Sequence, residues 1–219
     1  MIVAMEDPRQ KRIEELQAEA SRQGQPSNWF EQFYAEAQGE RGRIPWSESG
    51  VNPHLPERAP ASGAGRTALV IGCGLGENSE FLAARGFNVT AFDISETAVA
   101  WCARQHAGSP VRYVAADLFT AASALGQFDF VLEAHTLQAL PRPLRAEAVA
   151  AVAALVREEL LVICRGCERP HPEETIPWPL TREELSGFAA AGLTEVSFED
   201  FADEKVSSLR RFRVVYRRA

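Results

Sequence analysis

The chain has 219 residues, 24% charged and 46% hydrophobic, with a formal net charge of −7. That length suits one full-sized domain with its own core, and the acidic balance argues against a nucleic-acid backbone as partner, because such proteins carry a basic face. No charge-free apolar run approaches the ~18 to 20 residues of a membrane span, and the N-terminus lacks the pattern of a signal peptide, so a cytoplasmic protein is expected whose four irregularly spaced cysteines stay reduced and form no disulfide framework.

Glu6 to Gln23 places Ile13, Leu16 and Ala20 on one stripe and predicts a helix with a thin apolar face. Pro26-Ser27-Asn28 interrupt it. A short helix then begins at Trp29, with Trp29 and Phe33 on one face and Phe30 and Tyr34 beside them. These aromatics suit packing anchors, and Tyr34 is also a candidate acceptor contact. Arg43-Ile44-Pro45-Trp46 lead into a Pro/Gly/Ala/Ser-rich connector, Asn52 to Gly65, which has no periodicity and reads as loop. The chain is accordingly divided into 1–65, a helical segment with its connector, and 66–219, a strand-and-helix domain; together they are expected to form one globular unit.

Ala68-Leu69-Val70-Ile71 reads as a buried parallel strand, and Glu77 to Arg85 as a helix that Gly86 ends. Gly72, Gly74 and Gly76 therefore lie in the strand-to-helix turn. Glycine leaves backbone open to close approach, and the amides of a helix start attract an anionic group. The next strand, Asn88 to Asp93, ends in a carboxylate about 20 residues past the first glycine, where ribose hydroxyls are gripped in a Rossmann-type half. Ser95 is placed to cap a helix reaching about Gln105, Val111 to Ala115 predicts a third strand, and Asp117-Leu118 follow it.

A dinucleotide fingerprint, G-x-G-x-x-G, would need glycine at position 77, where this chain has Glu77. The sequence Ile71-Gly72-Cys73-Gly74-Leu75-Gly76, joined to Asp93-Ile94-Ser95 and Ala116-Asp117-Leu118, instead resembles the first motifs of class I S-adenosylmethionine (SAM) dependent methyltransferases. The resemblance implies SAM as cofactor. Gly72, Cys73, Gly74 and Gly76 would hold its methionine part, Asp93 with Ile94 its ribose, and Asp117 with Leu118 its adenine. Two readings of Asp117 stand, adenine acceptor and local cap. Many class I enzymes carry an acid where this chain has Val70.

Phe128 to Glu133 predicts the fourth strand. Glu133 and His135 then fall at the carboxyl edge of the sheet, where ligands gather in open α/β folds. His135 is the histidine placed for acid/base work and for touching an acceptor, with a structural hydrogen-bonding role as the alternative. Glu133 steadies either the cofactor or the turn. Pro143 to Val156 predicts an Ala-rich helix packed through Ala146, Val149, Ala150 and Ala153, and Leu160 to Cys164 a fifth strand buried on both faces. Cys164, Cys167 and His171 have a metal-like spacing, but Cys164 belongs to the strand, and no metal site is assigned. The proline-bearing stretch from Gly166 to Leu180 follows a strand end and is assigned to acceptor recognition, with Trp178 as a candidate wall. Thr181-Arg182-Glu183-Glu184 is a capping box, and two alternating strands, Thr194–Phe201 and Leu209–Tyr216, close the chain.

The aromatic helix, the Pro45-Trp46 dipeptide and the loop before the first strand resemble the N-terminal part of the thiopurine, thiol and halide methyltransferase branch, which often lacks the acid at the Val70 position too. That resemblance implies a segment folding over the cofactor, with Trp46 either a cofactor contact or a hydrophobe holding the loop. The fold it implies is a Rossmann-like α/β fold with a seven-stranded, mostly parallel sheet, order 3-2-1-4-5-7-6, helices on both faces and an N-terminal helical lid. The expected activity is methyl transfer from SAM to a small-molecule acceptor, a thiol or another sulfur, oxygen or nitrogen nucleophile, by a monomer or homodimer with no nucleic-acid or membrane partner. A non-catalytic SAM-binding protein and an NAD-linked oxidoreductase are the alternatives.

Overall fold

The computed structural model describes residues 7–47, 50–169, 177–203, 206–207 and 209–219. Helices α1 (Pro8–Arg22) and α2 (Trp29–Ala37) come first. The chain then alternates through β1 (Thr67–Ile71), α3 (Glu77–Ala84), β2 (Asn88–Asp93), α4 (Glu96–Gln105), β3 (Arg112–Ala115), α5 (Leu118–Leu125), β4 (Phe128–Ala134), α6 (Arg142–Ala154) and β5 (Val156–Cys167). It ends with β6 (Leu180–Thr181), α7 (Arg182–Ala190), β7 (Leu193–Ala202) and β8 (Arg210–Arg218).

Among the described residues the sheet has eight strands, in the path β3-β2-β1-β4-β5-β8-β7 with β6 paired to β5. The expected count of seven is corrected by this two-residue strand, which runs parallel to the end of β5 and shifts the numbering of the last two. Strands β1 to β5 are mutually parallel and β8 returns antiparallel between β5 and β7. Alternation along each strand feeds two cores. Leu69, Ile71, Val131 and Val162 join α5, α6 and α7 on one face, while Ala68, Val70, Leu132 and Ile163 join α3 and α4 on the other.

Three local expectations are corrected. A short helix, α5, occupies the stretch after Asp117, and β5 starts at Val156 rather than Leu160, so α6 ends two residues early. The buried face of α6 is Ala148, Val149, Val152 and Ala153, whereas Ala146 and Ala150 are exposed. The connector also packs closely: Leu55 is fully buried, and Gly63 and Gly65 donate to the carbonyls of Arg85 and Gly86 at 2.7 and 3.0 Å.

Helices α1 and α2 form a third cluster, in which Ile13, Leu16, Trp29, Phe33 and Tyr34 pack with Leu75 of the glycine turn, Ala98 and Trp101 of α4, and Trp178. Burying side chains of this size contributes about 1.5 to 3 kcal/mol each, so the N-terminal segment is held over the turn by its own apolar surface.

Candidate cofactor and acceptor site

Gly72, Gly74 and Gly76 all take left-handed backbone, with φ of 59°, 56° and 92°. They do so for different reasons. A Cβ at 72 would lie 2.3 Å from Thr136 Oγ1 and one at 76 would lie 2.5 Å from the Tyr113 hydroxyl, so both glycines are demanded by the fold itself. A Cβ at 74 would meet the Tyr34 hydroxyl at 3.2 Å and Trp46 Cδ1 at 3.9 Å. The middle glycine is thus covered by the N-terminal segment rather than by the fold of the turn itself. Cys73 turns its side chain into the core, its N–H donates to the Phe92 carbonyl at 2.9 Å, and Cys102 Sγ donates to the Gly74 carbonyl at 3.1 Å.

Asp93 reaches back from the end of β2 to fix this turn. Its Oδ2 accepts from Gly74 N at 2.9 Å and its Oδ1 from Ser95 N at 3.0 Å. Burial pushes its carboxyl up to about 6 against those hydrogen bonds. Each oxygen keeps a second lone pair, so hydroxyl donors still find acceptors there. Ile94 follows, half-buried. Asp117 is the N-cap of α5, its Oδ1 accepting from Phe119 N at 2.9 Å, while its side chain is exposed and Leu118 sinks into the core.

The N-terminal segment closes on the same region through polar contacts as well. Glu31 of α2 accepts from Ser95 Oγ at 2.7 Å and Thr97 N at 3.1 Å, which caps α4 from outside, and Arg41 pairs with Glu77 at the start of α3. Trp46, 41% exposed, packs edge-on against Trp29 and Phe30 and tilted against Phe33. Tyr34, by contrast, is buried, and burial with the nearby Asp93 raises its phenol well above the ordinary range.

At the carboxyl ends of β4 and β5 a second group assembles. Glu133 is fully buried; its Oε1 accepts from Thr136 N and Leu137 N at 2.7 and 2.9 Å, and Oε2 has no partner among the described residues. Burial pushes its carboxyl up to about 7. His135 sits at φ 71°, a conformation only glycine adopts freely. Its ring is fixed in one tautomer by its neighbours. Gln138 Oε1 lies 3.2 Å from Nδ1 and accepts from Arg165 N at 2.7 Å, so Nδ1 carries the proton. Asn52 Oδ1 accepts from His54 N, which turns Asn52 Nδ2 to donate to His135 Nε2 at 3.2 Å. Burial, then Arg211, lowers the imidazole to about 4, so it is neutral at pH 7.

Trp178 is buried, its backbone N–H donates to the Gln138 carbonyl at 2.9 Å, and its indole N–H has no partner among the described residues. It therefore lies between the two groups. Arg145, buried on α6, holds that neighbourhood by donating to the carbonyls of Leu140 and Trp178 and to Glu184. Cys164 and Cys167 both lie in β5, an odd number of residues apart and so on opposite faces, with Cys167 Sγ donating to the Pro179 carbonyl. Residues 170–176, His171 among them, lie outside the described residues.

The structure thus brings Tyr34, Trp46, Gly74 and Asp93 together, and separately His135 with Asn52, Gln138 and the backbone of Arg165. Glu31, Asn52, Gln138, Arg145 and Arg165 were not singled out from sequence. Gln138 alone carried a local signal, as a polar residue in the turn after His135.

Residues 68–159 match the family described as a methyltransferase domain. A stretch of 99 residues is 44% identical to a ubiquinone biosynthesis O-methyltransferase of Aromatoleum aromaticum, covering 43% of this chain and 41% of that protein, so the chain spans under half the length of this curated relative. Among solved structures, the 1,6-didemethyltoxoflavin-N1-methyltransferase of Burkholderia thailandensis, with S-adenosylhomocysteine bound, is similar with a TM-score of 0.67 at 21% identity, over 87% of each chain. The magnesium protoporphyrin IX methyltransferase of Synechocystis PCC 6803, also with S-adenosylhomocysteine, is similar with a TM-score of 0.66 at 15% identity, over 87% of this chain and 98% of that one. The protein therefore has the Rossmann-like fold of SAM-dependent methyltransferases.

Proposed function

We propose that this chain is a SAM-dependent methyltransferase that moves a methyl group to a small-molecule acceptor. The observation that carries the reading is the cradle around Gly74: left-handed backbone without a Cβ, tied to the Asp93 carboxylate at 2.9 Å and covered by the Tyr34–Trp46 pair. The cradle and the unpartnered Glu133 Oε2 fit a ligand that carries a carboxylate, hydroxyls and an ammonium group. Gly74 and its neighbours would hold the methionine part, Asp93 with Ile94 the ribose, Asp117 beside Leu118 the adenine, and Trp46 would cover the whole. SAM supplies an electrophilic methyl on a sulfonium, open to in-line displacement.

The protein's own contribution is positioning and exclusion of water. The buried aromatics of α2 and Trp178 wall the space, and Glu133 fixes the turn that carries His135. With its imidazole near 4 and its free lone pair held by Asn52, His135 is a weak base. That favours an acceptor which ionises unaided, such as the thiols of the thiopurine, thiol and halide branch, while the oxygen acceptor named for the Aromatoleum relative sets the second choice. Calorimetry with SAM and NAD, followed by S-adenosylhomocysteine formation across thiols, phenols and amines, tests the reading. NAD binding without SAM binding would end it, and SAM binding with no turnover across the panel would leave a binding protein.

A further inference from the structure

Arg165 and Arg211 stand directly opposite one another in the antiparallel pair β5–β8, so their side chains share one face of the sheet. Like charges in that position repel. Arg211 has a carboxylate partner, Asp203, at 2.7 Å. Arg165 differs: it is half-buried, its backbone N–H is spent on Gln138, and its guanidinium makes no ion pair and donates no hydrogen bond among the described residues. Burial, then Arg211, lowers its pKa, with Asp203 only partly compensating. On the same face Glu199 and Glu57 are already engaged, since both pair with Arg213.

Position gives this unpaired cation a meaning. Arg165 lies at the carboxyl end of β5, the edge where ligands gather. Its backbone is joined through Gln138 Oε1 to His135 Nδ1, and His135 is neutral, so the imidazole neither supplies nor competes for the missing negative charge. A planar guanidinium with five donors matches an oxyanion, above all a carboxylate gripped by two parallel hydrogen bonds.

We propose that the methyl acceptor is an anion bearing a carboxylate or comparable oxyanion, and that Arg165, backed by Arg211, is the residue that selects it. The methyltransferase reading is what makes this anion the acceptor; the anion site itself rests on the arginine geometry.

The test is a calorimetric titration of the full chain, alone and saturated with S-adenosylhomocysteine, using matched probes: benzoate against benzamide, 3,4-dihydroxybenzoate against catechol, thiosalicylate against thiophenol. The carboxylate of each pair should bind more tightly. Arg165→Gln should weaken the carboxylates about 10-fold or more beyond any change for their neutral partners, and Arg165→Lys should retain part of the preference. S-adenosylhomocysteine affinity should not change. Because removing one of two facing cations relieves repulsion, Arg165→Gln should melt no lower than the unaltered chain, which separates lost recognition from lost folding. Equal affinity for charged and neutral probes, or an Arg165→Gln variant that weakens both alike, overturns the proposal. If S-adenosylhomocysteine fails to bind while an Arg165-dependent carboxylate preference persists, the methyltransferase reading falls and the anion site stands.

Discussion

The Trp46 indole nitrogen donates to the Tyr34 hydroxyl at 2.7 Å, and that hydroxyl lies 3.2 Å from where a Cβ at position 74 would begin. One aromatic pair from the N-terminal segment thus covers the middle glycine of the turn. Gly74→Ala should suffer twice, through left-handed strain of about 1–2 kcal/mol and through this contact. Adding Tyr34→Phe removes the contact but not the strain. The single variant should lose SAM affinity about tenfold or more and melt lower, and the double variant should recover only part. Full recovery in calorimetry and melting would mean that backbone conformation at 74 is immaterial.

Asp93→Ala leaves Gly74 N and Ser95 N without their buried acceptor, so it should cost about 1–3 kcal/mol of stability and weaken SAM binding by a similar amount. Asp93→Asn, which keeps one oxygen acceptor, should fall between. A variant with unchanged melting temperature and dissociation constant would remove Asp93 from the site.

Glu133 has a folded pKa of about 7 against an unfolded value of 4.5, so the folded state holds its proton more tightly. The associated stability is fully present below about pH 4.5 and is lost as pH rises through 7. Glu133→Gln keeps the acceptor for Thr136 N and Leu137 N and does not titrate. Between pH 4.5 and 8 the unaltered chain should lose on the order of 3 kcal/mol relative to this variant. Denaturant titrations at the two ends of the range check it, and parallel stability curves would contradict it.

His135, lowered to about 4, penalises the folded state as pH falls from 6.5 towards 4. Asparagine tolerates its left-handed backbone, so His135→Asn should fold and lose this acid sensitivity. Since general-base catalysis usually contributes 10²–10⁴-fold and this imidazole is a poor base, kcat with a thiol should fall by less than about 10-fold, and with a phenol or amine by more. A drop of roughly 100-fold or greater with thiols would make His135 the base after all.

If α2 and Trp46 cover the cofactor, opening must break the contacts of Glu31 with Ser95 and Thr97 and the Arg41–Glu77 pair. Glu31→Ala should therefore speed limited proteolysis between Gly39 and Gly50, and S-adenosylhomocysteine should slow it again. Equal cleavage of both proteins, with and without ligand, would show that the segment does not move on the ligand's account.

The sheet and the glycine turn were legible because their signals are local: apolar strands bounded by glycines, carboxylates at strand tips, a capping box at Thr181. Where two local signals competed, the reading slipped. For Asp117 the sequence leaves adenine acceptor and local cap both open, but a cap alone does not announce the eight-residue helix α5 that it starts. In the Ala-rich α6 the small side chains mark no face clearly, so Val149 and Ala153 of the predicted stripe are buried while Ala146 and Ala150 fall outside it. The network around His135 has almost no local pattern, Gln138 in the turn that follows being the one residue with a signal. Asn52, Gln138 and Arg165 meet there only because the connector, the turn after β4 and the end of β5 converge in space.

Gly63 sets where this chain tolerates being cut and rejoined. A Cβ there would lie 2.4 Å from Phe87 N, so the connector is stitched to the turn between α3 and β2 and shares the sheet's fate. Asn52 and His54 are stitched in likewise, through His135 and Arg213. A chimaera that exchanges α1 and α2 for another protein's helices should therefore be joined between Ser47 and Asn52. A junction at Gly65 would discard part of the scaffold along with the cover, and would look like a failed cover when it was a failed floor.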